Sequence, residues 1–197
     1  DRRVVRAVVR LAHEAGAGKI YVMEGSSEPT GEAFRYYGYT PGNIPFADAI
    51  IPLEADSGGW QGYDSPKLAR VDLADGRYRT TYYLNRRYYE ADVVISVPTL
   101  KNHWDAAVTG AVKNLSIGAT PANVYGMAYG NPNRGNAINH QDDRFHQWIH
   151  DWYLCRPINF TIVDALQGIQ NGPTPCYEMT RTTDIRQDQM NMRLIMA

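Results

Sequence analysis

The segment from Ala91 to Val97 is the most apolar strand candidate in the chain, and Pro98 ends it. Such a run is typical of a strand buried on both faces of a parallel sheet. Two more apolar runs, Ile20–Met23 and Asn159–Asp164, read as further buried strands. Because helical patterns alternate with these strands, we predict an α/β fold: a mixed, mostly parallel central sheet flanked by helices.

Residues 64–86 predict an antiparallel hairpin insert in this fold. Lys67–Leu73 and Arg77–Leu84 alternate apolar and polar residues around Asp75-Gly76, a dipeptide that favours a two-residue turn. Helical spacing predicts helices over residues 4–15, 31–37, 105–115 and 142–153.

Composition sets the scale of the fold and removes several classes of protein. The 197 residues, 44% of them hydrophobic, suffice for a single α/β domain over 1–197 that needs no metal or disulfide to fold. The chain begins with Asp1 and stops in an apolar run after Leu194, so we expect a segment of a longer protein. A net charge of −1 argues against nucleic acid as a partner, and no apolar run is long enough for a membrane span. Two cysteines without a C-x-x-C spacing argue against an iron–sulfur cluster bound by this segment.

Lysine is scarce in this chain and concentrated next to the most apolar strand. Only four lysines are present. Two of them, Lys101 and Lys113, fall within residues 93–119, where the one other charged residue is Asp105. Ligands of open α/β sheets bind beyond the carboxyl ends of parallel strands, where Lys101 is placed. A partly buried lysine can hold a carboxylate or phosphate, or act as a base.

Other polar residues at the predicted strand ends complete a candidate site. His103 points the same way as Lys101 if the segment stays extended, and it could transfer protons near neutral pH. We expect Asn114 to orient a ligand, Asp164 to pair with a lysine, and Glu24 and Ser26 to finish the pocket wall. A structural alternative remains open, in which a buried lysine pairs with Asp164 and Lys113 stabilises the carboxyl end of the 105–115 helix.

A metal site is a weaker alternative. His146 and His150 lie four residues apart on a predicted helix, with His140 and Asp142 just upstream, and this spacing can hold a metal ion. The other interpretation is that residues 145, 149 and 152 face the core while both histidines lie on a partly solvated flank. We predict no bound metal.

Two motifs resemble the signature of the domain of unknown function 362 family. Residues 94–103 read Val-Ile-Ser-Val-Pro-Thr-Leu-Lys-Asn-His, and residues 109–115 read Thr-Gly-Ala-Val-Lys-Asn-Leu. They are similar to that family's apolar strand, Pro, Lys-x-His and Thr-Gly-x-x-Lys-Asn helix. Weaker similarity covers the opening helix and strand, and also residues 162–165 with 171–173. Many members carry ferredoxin-like cysteine clusters, which this sequence lacks.

From these observations we predict an enzyme acting on a small anionic metabolite. Lys101 and Lys113 would be anion contacts, or one of them a base, with His103 as general acid or base. No cofactor is identified from the sequence. The alternatives are a redox-associated accessory domain that works with an iron–sulfur module or partner outside this segment, and a non-catalytic ligand-binding module.

Overall fold

The computed structural model describes residues 1–26, 29–103, 105–128, 131–132, 138, 143–169, 189–190 and 194–196. The helices are α1 (Arg2–Glu14), α2 (Thr30–Tyr37), α3 (Leu53–Asp56), α4 (Arg86–Glu90), α5 (Ala111–Gly118), α6 (Ala122–Tyr125) and α7 (Arg144–Cys155), with a 3-10 segment at Gly59–Asp64. The strands are β1 (Tyr21–Glu24), β2 (Ala49–Pro52), β3 (Leu68–Asp72), β4 (Thr81–Asn85), β5 (Ile95–Ser96), β6 (Thr99–His103), β7 (Ala107–Thr109), β8 (Met127–Ala128), β9 (Asn131–Pro132), β10 (Phe160–Thr161), β11 (Val163–Ile169), β12 (Gln189–Met190) and β13 (Leu194–Met196).

The described strands form several small sheets, so the prediction of one mostly parallel central sheet is wrong. Parallel pairing is present between β1 and β2, β5 and β10, and β6 and β11. The largest sheet is mixed, because β11 pairs parallel with β6 but antiparallel with β12 and β13. The α/β class itself is correct.

The apolar run 91–97 is not a strand buried on both faces. Only Ile95 and Ser96, which form β5, are paired as a strand within this run, and Val93 is 60% exposed. Backbone hydrogen bonds from Asn159, Ile162 and Asp164 to carbonyls between Val94 and Pro98 nevertheless align the segment with β10 and β11. The two apolar segments that the sequence singled out therefore run side by side, and their polar exits lie at the same edge.

The predicted hairpin is present as β3 and β4, with Leu68 opposite Asn85 and Asp72 opposite Thr81. Its second strand begins at Thr81 rather than Arg77. The backbone N–H groups of residues 77–79 donate instead to the carboxylate of Asp151 on α7, at 2.7–3.4 Å. The side chains of Tyr82 and Leu84 are fully buried, so this hairpin belongs to the core.

The core is aromatic and centres on α7. As the sequence predicted, Phe145 and Trp152 face inward and Ile149 packs partly buried against the same cluster. Trp148 stacks on Trp152, and its indole N–H donates to the carbonyl of Ser116 at 2.8 Å, which fixes α5 against α7. Among the described helices, none is both long and apolar enough to cross a lipid bilayer.

Candidate functional site

The segment after β6 differs from the predicted 105–115 helix, and the difference positions the site. The ring Nδ1 of His103 accepts hydrogen bonds from the backbone N–H groups of Asp105 and Ala106, at 3.1 and 3.3 Å. The chain therefore turns back, and β7 pairs antiparallel with β6. Asp105 lies in this turn rather than at the start of a helix. The helix that follows, α5, begins only at Ala111.

This shift moves Lys113 and Asn114 to the other end of the helix. Both lie in the first turn of α5 rather than near its carboxyl end, so the structural alternative, in which the carboxyl end of the helix favours Lys113, does not hold. The amino end of a helix carries partial positive charge, which disfavours an ammonium group and favours an anion. The helix dipole therefore does not stabilise the Lys113 ammonium group, but it would favour an anion bound next to it.

Lys101 and Lys113 come close enough to repel each other. Burial, and then repulsion from Lys101, lower the pKa of Lys113 to about 8, while Asp105 acts in the opposite direction. Burial also lowers the pKa of Lys101, with Glu24 partly opposing the shift. We call Lys101, Lys113, Glu24 and Asp105 the lysine site. Its two ammonium groups are only partly solvated, which is the environment that tunes a lysine for anion binding or proton transfer.

Glu24 ends β1 and lies against the carboxyl end of α5. A Cβ placed on Gly118 would come within 2.7 Å of the Glu24 Oε1, and the Gly25 N–H donates to the Gly118 carbonyl at 2.7 Å. The same N–H also donates to Glu24 Oε1, at 3.0 Å. Glycine at position 118 therefore leaves the room that the carboxylate occupies. The β1 exit and α5 together bring Glu24 into electrostatic range of Lys101.

The remaining predicted residues take different positions. The backbone N–H of Ser26 donates to Thr30 Oγ1, which donates in turn to Glu54 Oε1, so this turn is held by Thr30. Asp164 is buried, and its carboxylate accepts hydrogen bonds from the Asp1 amino group at 2.5 Å and from the Leu166 N–H. In the described part of the chain it makes no ion pair with a lysine, contrary to the prediction.

Asp164 still belongs to the same neighbourhood as Glu24. Burial, followed by repulsion from Glu24 and Asp164, raises the pKa of Tyr39 to about 12. Tyr39 therefore lies within electrostatic range of both carboxylates. The sequence singled out neither Tyr39 nor its relation to these residues, because it joins them from a loop after α2.

His103 is buried, at 6% exposure, and its ring faces Phe145 with centroids 5.9 Å apart. Since Nδ1 accepts two backbone N–H groups, the ring hydrogen resides on Nε2, and the 3.8 Å contact with Asp105 is not that of two charges. The imidazole thus holds the turn between β6 and β7. Its predicted role as general acid or base stays a prediction, and that role would have to use Nε2.

Thr109 is the site residue that the sequence reasoning missed. It lies directly opposite Lys101 in the β6–β7 pair, so the two side chains share a face. Thr109 is 1% exposed, and its hydroxyl has no hydrogen-bond partner in the described part of the chain. An unsatisfied buried hydroxyl costs about 1–3 kcal/mol. Its position just before Gly110, in the Thr-Gly-x-x-Lys motif, was the available signal.

The weaker metal alternative gains no support from the described residues. They contain no group of three or more His, Cys, Asp and Glu side chains that could hold a metal ion. His146 is exposed on α7, and His150 contacts its neighbour Asp151 through Nδ1 at 3.1 Å. His140 and Asp142, together with residues 171–173, lie outside the described residues.

Comparison with known proteins assigns the chain to a family. The model described as "Domain of unknown function (DUF362)" matches residues 1–185, so the chain belongs to that family. One relative is the thylakoid-associated protein sll1697 of Synechocystis sp., which is 30% identical over 172 residues, covering 86% of this chain and 47% of the relative. The chain therefore spans about half the length of that relative. No solved structure matches it.

Proposed function

We propose that the lysine site binds a small anionic metabolite and that Lys113 transfers a proton during its conversion. The observation that carries this proposal is the closeness of Lys101 and Lys113, two of only four lysines in the chain, in a partly buried setting where they repel each other. Two cations placed together at a folding cost are typical of a site that an anion completes.

Each residue has a distinct role in this proposal. Lys101, on the rigid strand β6, provides a fixed positive charge for the anionic group. Lys113 has a pKa of about 8, so a useful fraction of its amine is neutral near physiological pH and its nitrogen lone pair can accept a proton from the ligand. Asn114, in the same helical turn, orients the ligand through its side-chain amide.

The proposal rests on the lysine site alone. The name of the Synechocystis relative associates that protein with thylakoids and specifies no reaction. A redox-associated accessory role beside an iron–sulfur partner stays a prediction, as does a non-catalytic ligand-binding module. Neither alternative is favoured by a particular contact in the part of the chain that the structure describes.

A ligand screen with matched lysine variants tests the proposal. We expect a small carboxylate or phosphate compound to raise the melting temperature of the wild-type protein, since a ligand that binds only the folded state stabilises it. The response should disappear in Lys101→Met and Lys113→Met. It should persist in Lys19→Met and Lys67→Met, because both of these lysines are exposed. A response that survives both site substitutions would contradict the proposal.

Turnover then separates an enzyme from a binding module. Consumption of the ligand, followed by NMR, should show a rate that rises with pH and levels off above an apparent pKa near 8, as expected for a Lys113 base. Lys113→Arg should retain binding but lose turnover, since a guanidinium stays charged. Binding without consumption would leave the ligand-binding module as the correct function.

A further inference from the structure

We propose that the anionic group held at the lysine site is a phosphate, bound by the Thr109 hydroxyl, the first-turn N–H groups of α5 and the Lys113 ammonium group. This inference rests on the proposed function and narrows its substrate class to phosphorylated small molecules. It depends on two features that the proposed function does not use, namely the Thr109 hydroxyl and the backbone at the amino end of α5.

The Thr109 hydroxyl is the first of these features. It is buried and has no hydrogen-bond partner among the described residues, although the great majority of buried polar atoms in proteins have one. The next residue, Gly110, is the N-cap of α5. The hydroxyl therefore lies one residue before the helix amino end, on the face of the β6–β7 pair that also carries Lys101.

The amino end of α5 provides further donors. Gly110 has no side chain with which to cap the helix, and the ladder of helical hydrogen bonds starts with the Asn114 N–H donating to the Gly110 carbonyl at 2.9 Å. The N–H groups of residues 111–113 therefore have no acceptor within the helix. A Cβ placed on Gly110 would meet nothing within 4 Å, so there is open space beside this turn.

A phosphate matches this set of donors better than a carboxylate. Its three terminal oxygens can accept hydrogen bonds from a hydroxyl, from backbone N–H groups and from an ammonium group at the same time, whereas a carboxylate offers two oxygens. Helix amino ends with free N–H groups are common phosphate sites. Glu24 lies at the opposite end of α5, roughly 10 Å along the helix axis, so it does not oppose the phosphate directly.

Two groups set the cost of entry to this site. Asp105 attracts Lys113, so the phosphate competes with that carboxylate for the ammonium group. The hydroxyl itself is enclosed, whereas the next residue, Gly110, borders open space. In this proposal a phosphate oxygen reaches the hydroxyl from the Gly110 side, after a small displacement of the β7 end.

Titration with inorganic phosphate tests the inference on the full chain. We expect Thr109→Val to weaken phosphate binding at least tenfold while leaving the melting temperature unchanged or higher, because valine removes a hydroxyl that has no partner. Thr109→Ser should keep the affinity. Thr80→Val, at an exposed position of the β3–β4 hairpin, should change neither quantity. A purely structural role for Thr109 would instead lower the melting temperature of the valine variant.

Acetate, titrated in parallel, separates failure of this inference from failure of the proposed function. If acetate binds in a lysine-dependent way and phosphate binds no better, the phosphate assignment is wrong but the anion site stands. If Thr109→Val binds phosphate as tightly as the wild type, the assignment is likewise wrong. If neither anion shows a response that depends on Lys101 and Lys113, both the phosphate inference and the proposed anion site are overturned.

Discussion

Lys113 and Glu24 lie at opposite ends of α5, and each carries the charge that its end of the helix disfavours. Lys113 is in the first turn, where the helix dipole is positive, and Glu24 lies against Gly118, where it is negative. Each such placement costs about 0.3–1 kcal/mol. Lys101 interacts with both residues, attracting Glu24 and repelling Lys113. At the Lys113 end, the Asp105 carboxylate offsets this arrangement only in part.

Replacing Lys113 with methionine should therefore stabilise the protein. The substitution keeps much of the side-chain volume and removes a partly buried charge near Lys101, so we expect the free energy of unfolding at pH 7 to rise by roughly 1–2 kcal/mol. Urea denaturation of Lys113→Met and of Lys19→Met, an exposed control, measures the change. A Lys113→Met variant less stable than the wild type would refute the cost assigned to this charge.

The same comparison has a defined pH dependence. The pKa of Lys113 is about 8 in the folded protein and near 10.5 in the unfolded chain. Between these values the unfolded chain binds more protons, so wild-type stability rises with pH. The advantage of Lys113→Met should be full below pH 8 and should fade by pH 10.5. Denaturation curves at pH 7, 9 and 10.5 check this, and a constant difference would contradict it.

Asp151 should be the most sensitive charged position in the core. Its side chain is fully buried and accepts hydrogen bonds from backbone N–H groups of residues 77–79, from the Tyr82 hydroxyl and from His150. Asp151→Asn places an amide N–H against these donors, and we expect a loss of about 3 kcal/mol in unfolding free energy. Asp75→Asn, exposed in the same hairpin turn, should have little effect by the same denaturation measurement.

Acid should weaken the Asp151 network. Burial raises the pKa of this carboxyl, but the hydrogen bonds from Arg77, Tyr82 and Tyr78 outweigh that effect and hold the pKa below its ordinary value. A lowered folded pKa means that the contribution is complete above the unfolded value near pH 4 and is lost as the pH falls further. The stability difference between wild type and Asp151→Asn should shrink below pH 4. An undiminished difference at pH 2.5 would exclude this linkage.

The Tyr82 hydroxyl should be coupled to Asp151. It donates to Asp151 Oδ2 at 2.7 Å inside the core. Tyr82→Phe alone should cost about 1–2 kcal/mol, because it leaves one carboxylate oxygen with fewer donors. In a double-mutant cycle with Asp151→Asn, the double variant should lose less unfolding free energy than the sum of the two single losses, by at least about 0.5 kcal/mol. Strict additivity would show that the contact contributes nothing of its own.

Gly76 should tolerate no side chain in the hairpin turn. A Cβ at this position would come within 1.9 Å of the Arg79 carbonyl oxygen, a backbone atom that cannot move without disturbing the contacts to Asp151. We expect Gly76→Ala to lower the unfolding free energy by roughly 2 kcal/mol. Gly31→Ala, which would meet nothing within 4 Å, is the matched control in thermal denaturation. Equal melting temperatures for the two variants would rule out the clash.

Local sequence patterns predicted the elements whose structure depends on local spacing. The opening helix, α7 and the β3–β4 pairing follow from periodicity and turn residues. The prediction of a helix from residue 105 was wrong, although the composition of the segment favours a helix. The N–H groups of Asp105 and Ala106 donate to the imidazole of His103, and the chain turns there instead. A side-chain contact of this kind leaves no periodic trace in the sequence.

The candidate site was predicted in its residue types more than in its geometry. Lys101 and Lys113 were identified because lysine is scarce in this chain and because both lie among apolar residues. Apolar surroundings indicate burial, and they can be recognised from the sequence alone. The position of Lys113 in its helix required the helix start, and the partner of Asp164 required contacts between distant segments. Asp151 was missed for the same reason, although an acidic residue on the apolar face of α7, between Trp148 and Trp152, was a readable signal.

The anchoring of the hairpin turn by α7 limits how this protein can vary in length. In the sequence, residues 64–86 resemble an optional insertion. Deleting them would nevertheless remove Tyr82 and Leu84 from the core and leave the buried carboxylate of Asp151 without most of its hydrogen-bond donors. A homologue or an engineered variant that lacks this hairpin would therefore need a hydrophobic residue at position 151.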